Sequence, residues 1–183
     1  MSARSRHPIT PLASQHPTSV LSGSLRMRLA LFQPDIPQNV GAAVRLAACL
    51  GVILEIIEPC GFPLSDKALR RTALDYGDKA RVERRPSWAE FLAAEERAAG
   101  RLVLFTTRGA SPFTDFAFES GDTLLFGRES AGVPDDVHAA AQARLVIPIA
   151  PGTRSLNLVT AAAMALGEAL RQTGGFPSTT PLG

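Results

Sequence analysis

Arg28-Leu29-Ala30-Leu31-Phe32-Gln33-Pro34-Asp35-Ile36-Pro37-Gln38-Asn39-Val40-Gly41 is the stretch that decides the fold. Its first six residues are a short apolar run, the pattern of a buried strand. Pro34 and Pro37 then interrupt it, and Pro37 has the fixed φ that suits a first helical turn. Beyond Pro37 the period changes: Val40, Val44, Ala47 and Ala48 recur at helical spacing, predicting a helix over Pro37 to Leu50. The unit is strand, loop, helix.

The same alternation continues along the chain. Ile53 to Ile57 reads as a second strand, Asp66 to Arg71 as a short helix and Arg81 to Arg84 as a weak strand. Ser87-x-x-Glu90 is a capping box that opens a helix through Ala98. Leu102 to Thr107 and Thr123 to Phe126 are apolar strands, Pro134 to Ala141 is helical, and Leu145 to Ile149 is the last strand. Asn157 to Gln172 is an Ala-rich helix stopped by Gly174-Gly175. Strands alternating with helices predict an α/β fold with a mostly parallel sheet covered by helices on both faces. Ligands of such sheets bind at the loops beyond the carboxyl ends of the strands. The loops after Gln33, Ile57, Thr107, Phe126 and Ile149 are therefore the ones to inspect.

Composition bounds the function. The chain has 183 residues, 45% of them hydrophobic, which is enough for one core. Two cysteines, Cys49 and Cys60, with no CxxC argue against a disulfide scaffold and a Cys/His metal site. No apolar run is long enough to span a membrane. Residues 1–26 contain Ser, Thr, Pro and Arg, no acid and no apolar period, so they read as a disordered tail or as sequence upstream of a true start at Met27. The domain is expected over 27–175, with a flexible tail over 176–183. The net charge is only +2, yet seven basic residues lie between Lys67 and Arg85. That run is either a solvated, salt-bridged surface or a patch suited to phosphates.

Three loops carry unusual sequences. Gln33 to Gly41 leads into a helix bearing Arg45, a cation that needs an anionic partner on an otherwise apolar helix. Gly127-Arg128-Glu129-Ser130-Ala131-Gly132 follows a strand and precedes a helix, and its glycines let backbone approach a ligand. It is neither GxGxxG, nor a Walker A loop, nor a nucleophile elbow. Ile147-Pro148 through Ser155-Leu156-Asn157 precedes the last helix. Taken singly, each loop is also explained by turn formation and helix capping.

Together, in this order, the three loops resemble the signature motifs of the SpoU-type RNA 2′-O-ribose methyltransferases of the SPOUT class. The resemblance covers about Met27 to Gln172. It is closest to the small tRNA enzymes acting on the wobble nucleotide, a cytidine or modified uridine. Phe32-x-Pro34-x-Ile36-Pro37-x-Asn39, Ile57-Glu58-Pro59-x-Gly61-Phe62, Asp66-Lys67-x-Leu69-Arg70-Arg71 and Leu74-Asp75-Tyr76 carry that closer likeness. Gly77 and Arg128 depart from it, standing where His and Pro are usual.

The resemblance implies a C-terminal trefoil knot and S-adenosyl-L-methionine as cofactor. It implies cofactor contacts from Phe105, Thr106, Gly127, Glu129, Ile147, Pro148, Ser155, Leu156 and Asn157. It assigns the chemistry to Arg45, supported by Asn39, Glu129, Ser155 and Asn157. A guanidinium is normally always protonated, so stabilising a developing alkoxide or holding a phosphate is physically easier for Arg45 than acting as a base. The resemblance also implies that Arg70, Arg71, Arg81, Arg84 and Arg85 hold the backbone of a tRNA anticodon stem-loop. It further implies a homodimer, a cytoplasmic location, and no metal or membrane. Ribosomal RNA methylation by the same fold, a non-catalytic RNA-binding member and a flavodoxin-like nucleotide module are the alternatives. An N-terminal RNA-binding domain is expected for the first, and a phosphate-cradling loop for the last.

Overall fold

The computed structural model describes residues 26–64, 76 and 79–178. Among these described residues seven strands form one sheet in the order β3-β2-β1-β6-β4-β7-β5. The strands are β1 (Arg28–Phe32), β2 (Ile53–Ile57), β3 (Arg81–Arg85), β4 (Leu102–Phe105), β5 (Ser111–Pro112), β6 (Thr123–Phe126) and β7 (Ala143–Val146). Every pairing is parallel. The helices are α1 (Pro37–Leu50), α2 (Trp88–Ala93), α3 (Glu95–Ala98), α4 (Asp135–Ala140) and α5 (Leu158–Thr173).

The two-residue period of the strands sorts their side chains into two cores. Leu29 and Leu31 of β1, Val103 and Phe105 of β4, and Leu124 and Phe126 of β6 face α1 and α5. Ala30, Phe32, Leu102, Leu104 and Leu125 face the other way, onto Phe91 of α2 and Val133 and Val137 at α4. Helices thus cover both faces, as the alternation predicts.

α1 and α5 pack against each other on the first face. α1 buries Val40, Ala43, Val44 and Ala47, and α5 buries Ala162, Ala165, Leu166 and Ala169. Small alanines let the two helices approach closely. α1 stops where Gly51 takes φ 67°, its N–H reaching Ala47 O. The Asn157 carboxamide oxygen starts α5 by accepting the N–H groups of Val159 at 2.9 Å and Thr160 at 3.2 Å.

Three expected elements change their extent and one strand is unforeseen. The helix opened by Ser87 breaks at Ala94, whose ψ of 127° is extended, and resumes as α3. β4 ends at Phe105, so Thr106 and Thr107 lie in a loop. β7 spans Ala143–Val146, not Leu145 to Ile149. Pro148 has no N–H to give a ladder, and the chain leaves the sheet there. The two-residue β5 at the far edge has no strand signature in the sequence.

At the other edge, the face of β1, β2 and β3 opposite α1 carries charge. Glu55 is fully buried. It accepts from Arg28 Nε at 3.1 Å and Arg85 Nε at 2.9 Å. Glu83 accepts from Arg28 and Arg85 as well. Register places Glu55 opposite Glu83, so the arginines separate two carboxylates. The helix expected over Asp66 to Arg71, with Arg70 and Arg71, lies outside the described residues, as do 1–25 of the expected N-terminal tail and 179–183 of the C-terminal one.

Candidate functional site

The carboxyl ends of β4, β6 and β7 open onto one cavity of about 450 Å³. The strand order makes this inevitable: β6 and β7 flank β4, so their following loops converge. Phe105 and Phe126 are register partners across β4 and β6, and their rings stack 4.8 Å apart with an 8° interplanar angle. Phe105, Leu145 and Ile147 supply apolar wall, while Thr106, Gly127, Ser155, Leu156 and Asn157 complete it. With Glu129, which also lines the cavity, eight of the nine residues expected at the cofactor are found here; Pro148 does not line it, and Leu145 was not among those expected.

The loop after β6 is closed tightly. Arg128 N–H donates to Gly132 O and Gly132 N–H donates to Arg128 O, both at 2.9 Å. A Cβ on Gly127 would lie 2.6 Å from the Gly132 carbonyl carbon. Gly127 is therefore required by the backbone facing it, a closer constraint than a general need for flexibility. Gly132 takes φ 67°, the left-handed turn that reverses the loop.

A chain of side-chain hydrogen bonds crosses the cavity floor. Asn157 Nδ2 donates to Asn39 Oδ1 at 3.0 Å, and Asn39 Nδ2 donates to Glu129 Oε1 at 2.8 Å. Asn39 and Asn157 are 118 positions apart, and Asn39 and Glu129 are 90 apart. Asn39, Glu129 and Asn157 thus meet as one unit, with Ser155 on the same cavity wall.

Asp35 extends this chain and was missed by the sequence reading. Its N–H donates to Glu129 Oε2 at 3.1 Å, and Glu129 N–H donates to Asp35 Oδ1 at 3.2 Å. The Ser130 hydroxyl donates to Asp35 Oδ2. Hydrogen bonding to Glu129 and Ser130 holds the Asp35 carboxyl at about 2, below its ordinary 3.8. Burial, and then the neighbouring Asp35 carboxyl, push Glu129 upward. The site offers a signal that a sequence reader could have used: Asp35 is the one acid between the first strand and its helix.

Arg45 is not part of the cavity. Six residues at 100° each place it about 120° around α1 from Asn39. It is exposed, with its guanidinium carbon 5.2 Å from the Tyr76 ring centroid, beside a surface depression lined by Gly41, Leu46, Cys49 and Val159. The arginines of β3 are also elsewhere, at the sheet edge. Arg84 pairs with Glu58 at 2.9 Å, Arg85 belongs to the Glu55 cluster, and Arg81 pairs with Glu83 at 2.9 Å. Glu55 of β2 and Glu58 just beyond it therefore meet Arg85 and Arg84, a partnership that linear spacing does not display. Among the described residues no group of His, Cys, Asp and Glu could hold a metal ion, and no helix is long and apolar enough to cross a membrane.

The SpoU rRNA Methylase family model matches residues 26–167. A tRNA (cytidine(34)-2′-O)-methyltransferase of Beijerinckia indica subsp. indica is 57% identical over 146 residues, covering 80% of this chain and 91% of that protein. One of Ancylobacter novellus is 53% identical, covering 85% and 98%. A solved structure concerned with the 2-OH methylation of C/U34 on tRNA superposes with a TM-score of 0.74 at 42% identity, covering 82% of this chain and 97% of that one. The methyltransferase AviRb of Streptomyces viridochromogenes, in complex with AdoMet, gives 0.71 at 28% identity, covering 81% and 60%. With the signature loops gathered on one cavity and the family match spanning most of its length, this chain belongs to the SpoU rRNA methylase family.

Proposed function

We propose that this chain transfers the methyl group of S-adenosylmethionine to the ribose 2′-hydroxyl of the wobble nucleotide, position 34, of tRNA, a cytidine or a modified uridine, as its relatives are named for doing. The observation that carries the reading is the convergence of Gly127, Ile147 and Ser155 on one cavity.

The cavity fits such a cofactor in chemistry and size. A volume of about 450 Å³ lies in the range of small-molecule sites. Phe105, Leu145 and Ile147 would hold the flat adenine, and the main chain at Gly127 would meet its polar edge. Glu129 would supply negative charge for a cationic ligand. When bound, S-adenosylmethionine supplies a methyl group on a positively charged sulfur, the electrophile of the reaction. Asn39, Asn157 and Ser155 orient the incoming ribose, and tRNA is told from DNA by the hydroxyl itself. The C-terminal trefoil knot and a catalytic unit over 27–175 belong to this reading.

Arg45 completes the chemistry from outside the cavity wall, as a cation that stabilises a developing alkoxide or holds a phosphate. It gains access in a homodimer. Leu156 and Met164 are 38% and 43% exposed, apolar surface that a second copy would cover. Arg81 and Arg84 face solvent enough to meet the anticodon stem-loop, and Arg70 and Arg71 join them in this reading; Arg85 would act mainly by holding β3 in place. A cytoplasmic location accords with a tRNA substrate.

The test is transfer itself. The protein is incubated with S-adenosylmethionine and undermodified tRNA, and methylated nucleotides are located by mass spectrometry. Methyl at the wobble ribose is expected, with none on a 2′-deoxy control. Arg45→Ala should abolish transfer and retain cofactor binding. Methylation confined to ribosomal RNA, or binding of RNA without turnover, would replace the proposal.

A further inference from the structure

Asp35 lies beside the cavity without lining it. We infer that Asp35 is a positioning residue of this enzyme, acting on the reaction through Glu129, and the inference rests on the methyltransferase reading above.

The geometry carries this. Glu129 sits on a loop after β6, while Asp35 sits on the loop after β1, the adjacent strand. The two residues exchange reciprocal bonds: each main-chain N–H donates to the other's carboxylate, at 3.1 and 3.2 Å. A two-point clasp fixes both the position and the rotation of Glu129, which one bond could not do. The remaining Glu129 oxygen, Oε1, is thereby aimed at Asn39 Nδ2. Since Asn39 is in turn held by Asn157, the order of the whole chain starts from Asp35.

Asp35 is itself anchored on both sides. Ser130, next to Glu129, donates its hydroxyl to the second Asp35 oxygen. On the other side Gly61 packs against it so closely that a Cβ there would fall 2.6 Å from Asp35 Cβ, and Gly61 N–H donates to Pro34 O at 3.0 Å. The preceding residue, Gln33, is held at φ 47°, in the left-handed region, at the turn from β1 into this loop. The loop after β6 thus binds the carboxylate while Gly61 holds the main chain and Cβ behind it, and the carboxylate itself does not line the cavity.

Displacing a catalytic group by about 1 Å can cost on the order of 100-fold in rate. The experiment measures single-turnover methyl transfer to tRNA and S-adenosylmethionine affinity for wild type, Asp35→Ala, Asp35→Asn, Glu129→Gln and the Asp35→Ala/Glu129→Gln double variant. Wild-type transfer is the control on the underlying reading; its absence would defeat that reading, not this one. Asp35→Ala is expected to lose about 100-fold in the transfer step with a smaller change in affinity. Asp35→Asn keeps an oxygen for the Glu129 N–H and should recover most of the rate. The double variant should be no slower than Glu129→Gln alone, because a residue acting through Glu129 has nothing left to position. Additive losses would overturn the inference, as would an Asp35→Ala rate within twofold of wild type. If Asp35→Ala does not fold, Asp35→Asn as slow as Glu129→Gln would also overturn it.

Discussion

Gly127→Ala is the substitution on which the geometry of the cavity makes its sharpest demand. The new methyl would sit 2.6, 2.8 and 2.9 Å from the Gly132 carbonyl carbon, its oxygen and its Cα. All three are main-chain atoms, so no side chain can swing aside. The loop must open, and opening it stretches the two 2.9 Å bonds between Arg128 and Gly132. Overpacking of this kind costs about 1–3 kcal/mol, and each weakened hydrogen bond about 1 kcal/mol. A total of about 3–5 kcal/mol corresponds to a fall of about 6–20 °C in Tm for a domain of this size. The moved wall should also weaken S-adenosylmethionine by about tenfold, or 1.4 kcal/mol. Differential scanning calorimetry reads the first quantity and isothermal titration the second. Gly167→Ala is the matched control: its added Cβ meets nothing within 4 Å, and in a helix interior alanine is favoured by up to about 1 kcal/mol. Should Gly127→Ala melt and bind like the Gly167 control, the close approach is not what makes Gly127 necessary.

Glu55→Gln leaves Arg28 and Arg85 facing a neutral amide in a dry site, and should cost about 3–5 kcal/mol in urea unfolding; an unchanged midpoint would show that the cluster holds nothing together. Arg81, with its side chain 64% exposed, and Arg85, at 20%, should separate cleanly. Arg81→Ala should flatten the salt dependence of tRNA affinity by about one unit of slope at constant Tm, whereas Arg85→Ala should lower Tm first; the reverse pattern would remove Arg81 from the RNA surface. The Asp35 carboxyl is held at about 2 against an ordinary 3.8, so the stability it contributes is complete above 3.8 and is lost as pH falls toward 2. Asp35→Asn should shrink the loss of stability across that interval, and two superimposable acid-unfolding profiles would show that the carboxyl has no such preference.

Strands and helices with a clean period were legible from the chain alone. α1 and β2 fall on the expected residues because apolar spacing, a first-turn proline and Gly51 all agree. β3 was legible only weakly, since Val82 is its one apolar residue and its pairing with β2 is reinforced by ions supplied from β1 and β2. Glu55 interrupts an otherwise apolar run, Ile53 to Ile57, and that interruption was the available sign of a buried charge. Its partners could not be named from spacing, because Arg28 and Arg85 reach it only once three strands lie in register. The break at Ala94 has no glycine or proline to announce it, so tertiary contacts must decide it.

The site divides along the same line. Which loops matter follows from strand order and chain direction, because a parallel sheet sends every carboxyl end to one rim. Which side chains touch does not follow. Asn39 and Asn157 each read as ordinary cap residues, and the Asn157 oxygen does cap α5. Its amide nitrogen remains free for Asn39, so one side chain serves helix and site together. Capping and a place in the cavity are not competing explanations for Asn157; the two ends of a single carboxamide serve the cap and the Asn39 contact. Arg45 shows the opposite case, in which spacing held the answer. A residue six positions along a helix cannot share a face with the first, so Arg45 and Asn39 look toward different surroundings. Any mechanism that uses both must bring the ribose, or a second copy of the chain, across the gap between them.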